Sequence, residues 1–177
     1  MAARRLTMGL RKRAGQSMVE TALVLPVLMF LTFGLLDFGR AYYYQVSVTN
    51  AAREGARVSI LNIYTGPQTP SCTSANSWAT CPVQTDDAIV NAVNAELTNT
   101  GIVPKSVTIC PPHDSSMSTA SCSNTNNRVD LWLAGQNSAY YVLVNVKYDF
   151  TLYTPLMQNL VGNPVTMSVS VQMRPNY

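Results

Sequence analysis

TALVLPVLMFLTFGLLDF, residues 21–38, carries no charged side chain before Asp37. A helix needs about 20 mostly apolar residues to cross a bilayer, at ~1.5 Å of rise each. Met18 to Phe38 supplies that length when Glu20 and Asp37 stand near the two ends. Pro26 removes one backbone donor and can kink such a helix, and Gly34 weakens it further. Before the run stand Arg4, Arg5, Arg11, Lys12 and Arg13, with no acid among residues 1–15. Positive charge stays on the cytoplasmic side, so the N-terminus is expected inside and everything after Arg40 outside. Tyr42, Tyr43 and Tyr44 follow at once, as an aromatic belt at the outer interface would. A cleaved secretory signal needs a small-x-small site after its apolar run. Here the run meets Asp37, Phe38, Gly39, Arg40 and bulky tyrosines, so a retained anchor is expected. The chain thus divides into a basic cytoplasmic leader (1–15), a transmembrane helix (16–40) and an extracytoplasmic head (41–177).

Composition agrees with this division. Of the 177 residues, 47% are hydrophobic and only 12% charged, against about 25% charged in an ordinary soluble domain. Some of the apolar weight therefore lies outside a globular core. The formal net charge of +3 belongs to the leader, because the rest of the chain has seven basic against nine acidic side chains. With no basic patch beyond the leader, nucleic acid is not an expected partner.

Beyond the span the helix is expected to continue. Ala41–Leu61 contains no proline, and Val48, Ala51, Ala52, Gly55, Ala56 and Ser59 form a small-residue stripe at helical spacing. Ala52, Gly55 and Ala56 are candidate packing positions, either within the chain or against neighbouring helices. Arg53, Glu54 and Arg57 lie on other faces, with a Glu54–Arg57 pair worth a few tenths of a kcal/mol. From Gln16 to Leu61 one continuous helix would be about 70 Å long.

The head reads as α+β. Residues 65–82 are a polar loop punctuated by Gly and Pro. A second helix follows, with Thr85 as cap, Asp86 and Asp87 in its first turn, an apolar face of Ala88, Ile89, Ala92, Val93 and Leu97, and Gly101 as its stop. Ser106–Cys110, Val129–Leu133, Tyr140–Phe150 and Val165–Met173 read as strands, the last two by alternation. The expected architecture is an antiparallel sheet of three or four strands packed on two helices. Cys72, Cys81, Cys110 and Cys122 all fall in the head, where disulfides are expected. Three pairings are possible; Cys72–Cys81 with Cys110–Cys122 is favoured, since each would close a short polar loop and stabilise by about 2–3 kcal/mol. Zinc is disfavoured by the wide cysteine spacings and by His113 being the sole histidine.

No catalytic constellation is visible. A Ser–His–Asp or Cys–His arrangement has only His113 to draw on, and that residue reads as solvated within Pro-Pro-His-Asp. Asp130 and Asp149 read as strand-end residues, and no phosphate-binding glycine loop appears. Trp78 and Trp132 read as buried anchors. Neither an enzyme nor a cofactor or metal site is expected.

Two segments carry a family resemblance. RKRAGQSMVETALVLPVLMF, residues 11–30, sets Gly15 behind a basic cluster and Glu20 five positions later, at the head of an apolar helix. This resembles a type IV prepilin signal, cut on the cytoplasmic side after the glycine. Gly15 would then be the last leader residue, Gln16 the new N-terminus, and Glu20 the partner of a mature N-terminal amine during assembly. An apolar region does not welcome a lone carboxylate, so such a pairing gives Glu20 a physical reason to be there. Residues 19–58, with AAREGAR at 51–57, and residues 144–174, with a Thr-Pro-Leu segment between two strands and a Met-Arg close, are similar to the TadE-like proteins. The resemblance covers about residues 14–62 and 140–174. Thr21 stands where the Flp-pilin form of the signal has tyrosine.

The resemblance implies a minor pilin-like (pseudopilin) component of the tight-adherence, or Flp, pilus assembly system in the cell (inner) membrane. Its partners would be a prepilin peptidase, other pilins and pseudopilins, and the inner-membrane assembly platform. The alternative is a permanently anchored extracytoplasmic binding or recruitment module that is never processed.

Overall fold

The computed structural model describes residues 4–61, 83–113, 127–134 and 140–175. Helix α1 runs Arg4–Ser59, 56 residues without interruption at Pro26, which corresponds to about 84 Å. Its two halves differ in what surrounds them. Leu23, Leu25, Leu28, Leu31, Phe33 and Leu36 are all exposed, so nothing among the described residues covers the apolar run. One helix of the described residues is thus long and apolar enough to cross a membrane. From Asp37 onward, burial appears on one face: Asp37, Val48, Ala51, Ala52, Gly55, Ala56 and Ser59 are buried, with Ala41 and Tyr44 partly so. That three-and-four spacing is the stripe on which the head is mounted.

The head is α+β. Helix α2 (Asp86–Leu97) starts at Thr85, whose hydroxyl accepts from Ala88 N at 3.2 Å. Ile89, Val93 and Leu97 are its buried face. Gly101, at φ +71°, carries the chain away from the helix end, a conformation that costs glycine little. Strands β1 (Pro104–Cys110), β2 (Val142–Phe150) and β3 (Val165–Met173) form one antiparallel sheet in that order. Val146 in the centre faces Val107 on one side and Val169 on the other. The alternation expected of β2 holds, since Val142, Val144, Val146, Tyr148 and Phe150 are all buried. On β3 the apolar side chains share a face as expected, but only Val169 is fully buried.

The main core joins the α1 stripe, the α2 face and β2, with Ile102, Ile109 and Leu131 at its margin. Helices α1 and α2 meet closely at Gly55, where an added Cβ would stand 2.6 Å from Val93 Cγ2. The small-residue stripe therefore packs within the chain.

Two expectations need correction. Val129–Leu133 is not a strand: Arg128–Leu133 is a short helix, α3. Asn127 caps it, accepting from Asp130 N at 2.7 Å, and Val129 and Trp132, three residues apart, pack with Val83 in a second small core. In so short an apolar segment, cap and first-turn acid decide the conformation where alternation cannot. Asp130 accordingly lies in a helix first turn. His113 is likewise not solvated, being only 2% exposed.

Candidate functional site

Where the exposed and covered halves of α1 meet, a carboxylate is buried. Asp37 is 5% exposed. It accepts from Tyr153 N at 3.2 Å, Thr154 N at 2.9 Å and Thr154 Oγ1 at 2.6 Å. Arg40, one turn further on, donates to Asp37 at 3.4 Å and to the Thr151 carbonyl at 3.4 Å. Its guanidinium lies over the Tyr153 ring at 3.7 Å and near Phe150 at 5.3 Å. The partners of α1 are thus the residues that leave β2 and enter α4 (Pro155–Val161).

The local sequence explains the shape of this clasp. Pro155 occupies the first position of α4, where its missing N–H costs nothing. Thr154, just before it, makes no side-chain cap bond to its own helix, and gives its hydroxyl to Asp37 instead. The connection is closed on itself as well: Leu152 N donates to Asn163 Oδ1 at 3.1 Å, and Gln158 Nε2 to the Leu152 carbonyl at 2.7 Å. Hydrogen bonds to a carboxylate are among the stronger ones, so Asp37 fixes where the connection from β2 to α4 sits on the helix. A cleft of about 460 Å³ opens here, lined by Phe33, Leu36, Asp37, Arg40, Tyr153 and Thr154.

A second buried ionic group braces the head. Arg128, fully buried at the start of α3, pairs with Asp86 and donates to the Gln84 carbonyl at 3.0 Å. The backbone N–H of His113 donates to the same carboxylate at 3.0 and 3.2 Å. Asp86 is therefore more than a helix-start charge, for it joins α2, α3 and the end of β1. Burial pulls the Arg128 guanidinium below its ordinary range, against the pull of Asp86. At the surface, Asp149 on β2 accepts from Thr166 at 2.6 Å and pairs with Lys105 at 2.9 Å. The Thr166 hydroxyl, then Lys105, hold its carboxyl below the usual range. Glu54 and Arg57 form the expected pair, at 2.5 and 2.9 Å on an exposed face.

The residues singled out from the sequence are spread along the chain. Gly15 lies inside α1 with open space where a Cβ would point, and Gln16 and Glu20 are exposed. Glu20 makes no ion pair among the described residues and lines a shallow cleft with Thr21, Val24, Leu25 and Leu28. Ala52, Gly55 and Ala56 are brought together, against α2. Cys110 ends β1, and no cysteine among the described residues is free. Cys72, Cys81, Cys122 and Trp78 lie outside the described residues, as does the loop at 65–82. No group of three or more potential metal ligands occurs among the described residues.

Sequence reading gives Asp37 only as the end of the span and misses the clasp. The signal is present nonetheless. An aspartate closing an apolar run requires a partner, and Thr-Pro-Leu between two strands offers free N–H groups beside a hydroxyl.

Comparison with known proteins agrees with the resemblance read from the sequence. The family model of the TadE-like proteins matches residues 15–57. That segment is the exposed apolar half of α1 together with most of the half that carries the head. This family points to a protein associated with the Tad pilus, of pseudopilin type. No curated protein and no solved structure matches the chain.

Proposed function

We propose that this TadE-like chain is a minor pseudopilin of a tight-adherence pilus assembly system, a membrane-anchored structural subunit without enzymatic activity. The observation that carries this reading is the coincidence of the family match with α1. One continuous helix offers a bare apolar half to its surroundings and a small-residue half to its own head. In this reading residues 1–15 are a cytoplasmic leader, 16–40 span the inner membrane, and 41–177 form the extracytoplasmic head. The basic leader favours that orientation. Gly15 precedes the peptidase cut, and Glu20 meets the amine of Gln16 on its own or a neighbouring subunit. Such a pair specifies register more than it adds stability. The partners are a prepilin peptidase, other pilins and pseudopilins, and the assembly platform. Cys110 pairs with Cys122, and Cys72 with Cys81, as staples of an oxidised compartment.

A second reading has one observation in its favour. Helix α1 begins at Arg4 and passes through Gly15 without a break, whereas a protease cleft takes its substrate extended. A chain that keeps its leader would be a permanent anchor whose head recruits partners. Mass spectrometry of the mature N-terminus, on protein extracted from native membranes, separates the two. A chain beginning at Gln16, and intact in a Gly15→Ala variant, supports the pseudopilin. An intact leader in the unmodified protein removes processing from the proposal and leaves the recruitment module.

A further inference from the structure

The clasp holds a short apolar element at one particular level along α1. Asp37 lies about 30 Å from Ser17 along the helix, the thickness of a hydrocarbon core. Thr154 is bonded to it, so Tyr153 and α4 sit beside the place where the apolar surface of α1 ends. Tyr153 is 71% exposed, Leu160 78% and Val161 61%. Large apolar side chains so fully exposed within nine residues of chain ask for a cover. The cleft beside them is lined by Phe33 and Leu36 of the bare helix half as well as by Tyr153 and Pro155. The start of α4, at Tyr153–Pro155, is therefore continuous with the surface that faces lipid in the anchor reading. The chain also carries no charged side chain from Thr151 to Met173, so nothing there resists a headgroup–acyl boundary. Arg40, partly exposed at the mouth of the cleft, suits an anionic phosphate.

We infer that Tyr153 and α4 lie in the outer leaflet, with a phospholipid in the cleft: its acyl chain against Phe33 and Leu36, its phosphate near Arg40. Amphipathic tyrosine rings favour this depth, and short apolar segments bind at an interface without crossing it. The head then has two membrane contacts, α1 and α4, and its tilt is set by the leaflet. This inference rests on the membrane-anchor reading.

The test uses the full chain in vesicles of phosphatidylethanolamine and phosphatidylglycerol. Photoreactive benzoylphenylalanine is introduced in place of Leu160, of Leu28 in the bare half, or of Leu61, just past the end of α1 at Ser59, which is about 33 Å beyond Asp37. Illumination is expected to give lipid adducts from positions 28 and 160 and none from 61. Adducts from 28 alone overturn the inference and leave the anchor standing. Adducts between two copies of the chain at 160 overturn it in favour of subunit packing. Absence at both 28 and 160 overturns the inference and the anchor together. A companion measurement places the probe at position 153. The paired substitutions Leu160→Glu and Val161→Glu are expected to abolish its lipid adduct while circular dichroism retains the sheet. An undiminished adduct in that variant also overturns the inference.

Discussion

Replacing Asp37 with alanine removes the acceptor of four hydrogen bonds at once, and of these the one from Arg40 is partly exposed. Tyr153 is exposed, so water can take over its N–H. Thr154 is buried, and both its N–H and its hydroxyl are left facing an apolar methyl. A buried donor without a partner costs about 1–3 kcal/mol, and a bond to a charged group contributes about 1.5–3 kcal/mol. Relief from burying a carboxylate offsets part of this. A net of about 3 kcal/mol follows, on the order of 100-fold in the local opening constant. Val144 and Val146 make no bond to the clasp, which adjoins the core only at its Phe150 end, so the loss falls mainly on the β2–α4–β3 connection. Amide hydrogen exchange of the peptide spanning residues 150–158, in lipid nanodiscs, reads it directly. Asp37→Asn keeps one carbonyl acceptor and is expected to fall between wild type and alanine, while Thr154→Val loses about 1 kcal/mol. Exchange in Asp37→Ala that stays within about threefold of wild type, less than 1 kcal/mol, would refute the clasp as the holding element.

Gly55→Ala is expected to destabilise the head by about 1 kcal/mol despite the better helix propensity of alanine, because its methyl meets the stiff Val93 side chain. Chemical denaturation followed by circular dichroism checks this, and Val93→Ala added to Gly55→Ala should be less than additive. Arg128→Met leaves Asp86 buried without its cation, at a cost of about 3–5 kcal/mol, and Asp86→Asn in the same chain should recover most of it. Equal losses in the single and double variants would contradict this account. Asp149 contributes stability that is complete above the ordinary aspartate value of 3.8 and is lost as pH falls through its lower folded value. Thr166→Val should flatten the acid limb of a stability–pH curve, and an unchanged limb would dismiss the Thr166 bond as its source.

Much of this architecture is legible in the sequence because its signals are periodic. The α1 stripe from Val48 to Ser59, the alternation of β2, and the Thr85 cap of α2 each follow one spacing rule. The α3 segment is harder, since VDLWL suits either a strand or a helix and only Asn127 and Asp130 tip it. His113 misleads for a different reason. A polar residue among prolines reads as surface, yet its backbone N–H is claimed by Asp86, which is 27 residues earlier in the chain. The clasp combines both difficulties, because Asp37 and Thr154 are 117 positions apart and no local pattern pairs them. What does foretell it is physical: a carboxylate at the edge of an apolar run must find donors.

The proposed role of this chain is in pilus assembly, through α1. Its most direct test is a deletion in the native host, complemented with the wild-type chain or with Glu20→Ala, and scored by surface pili in electron micrographs. Loss of pili is expected on deletion, with restoration by the wild type and failure of Glu20→Ala although that variant still inserts in the membrane. Pili undiminished by the deletion would contradict it.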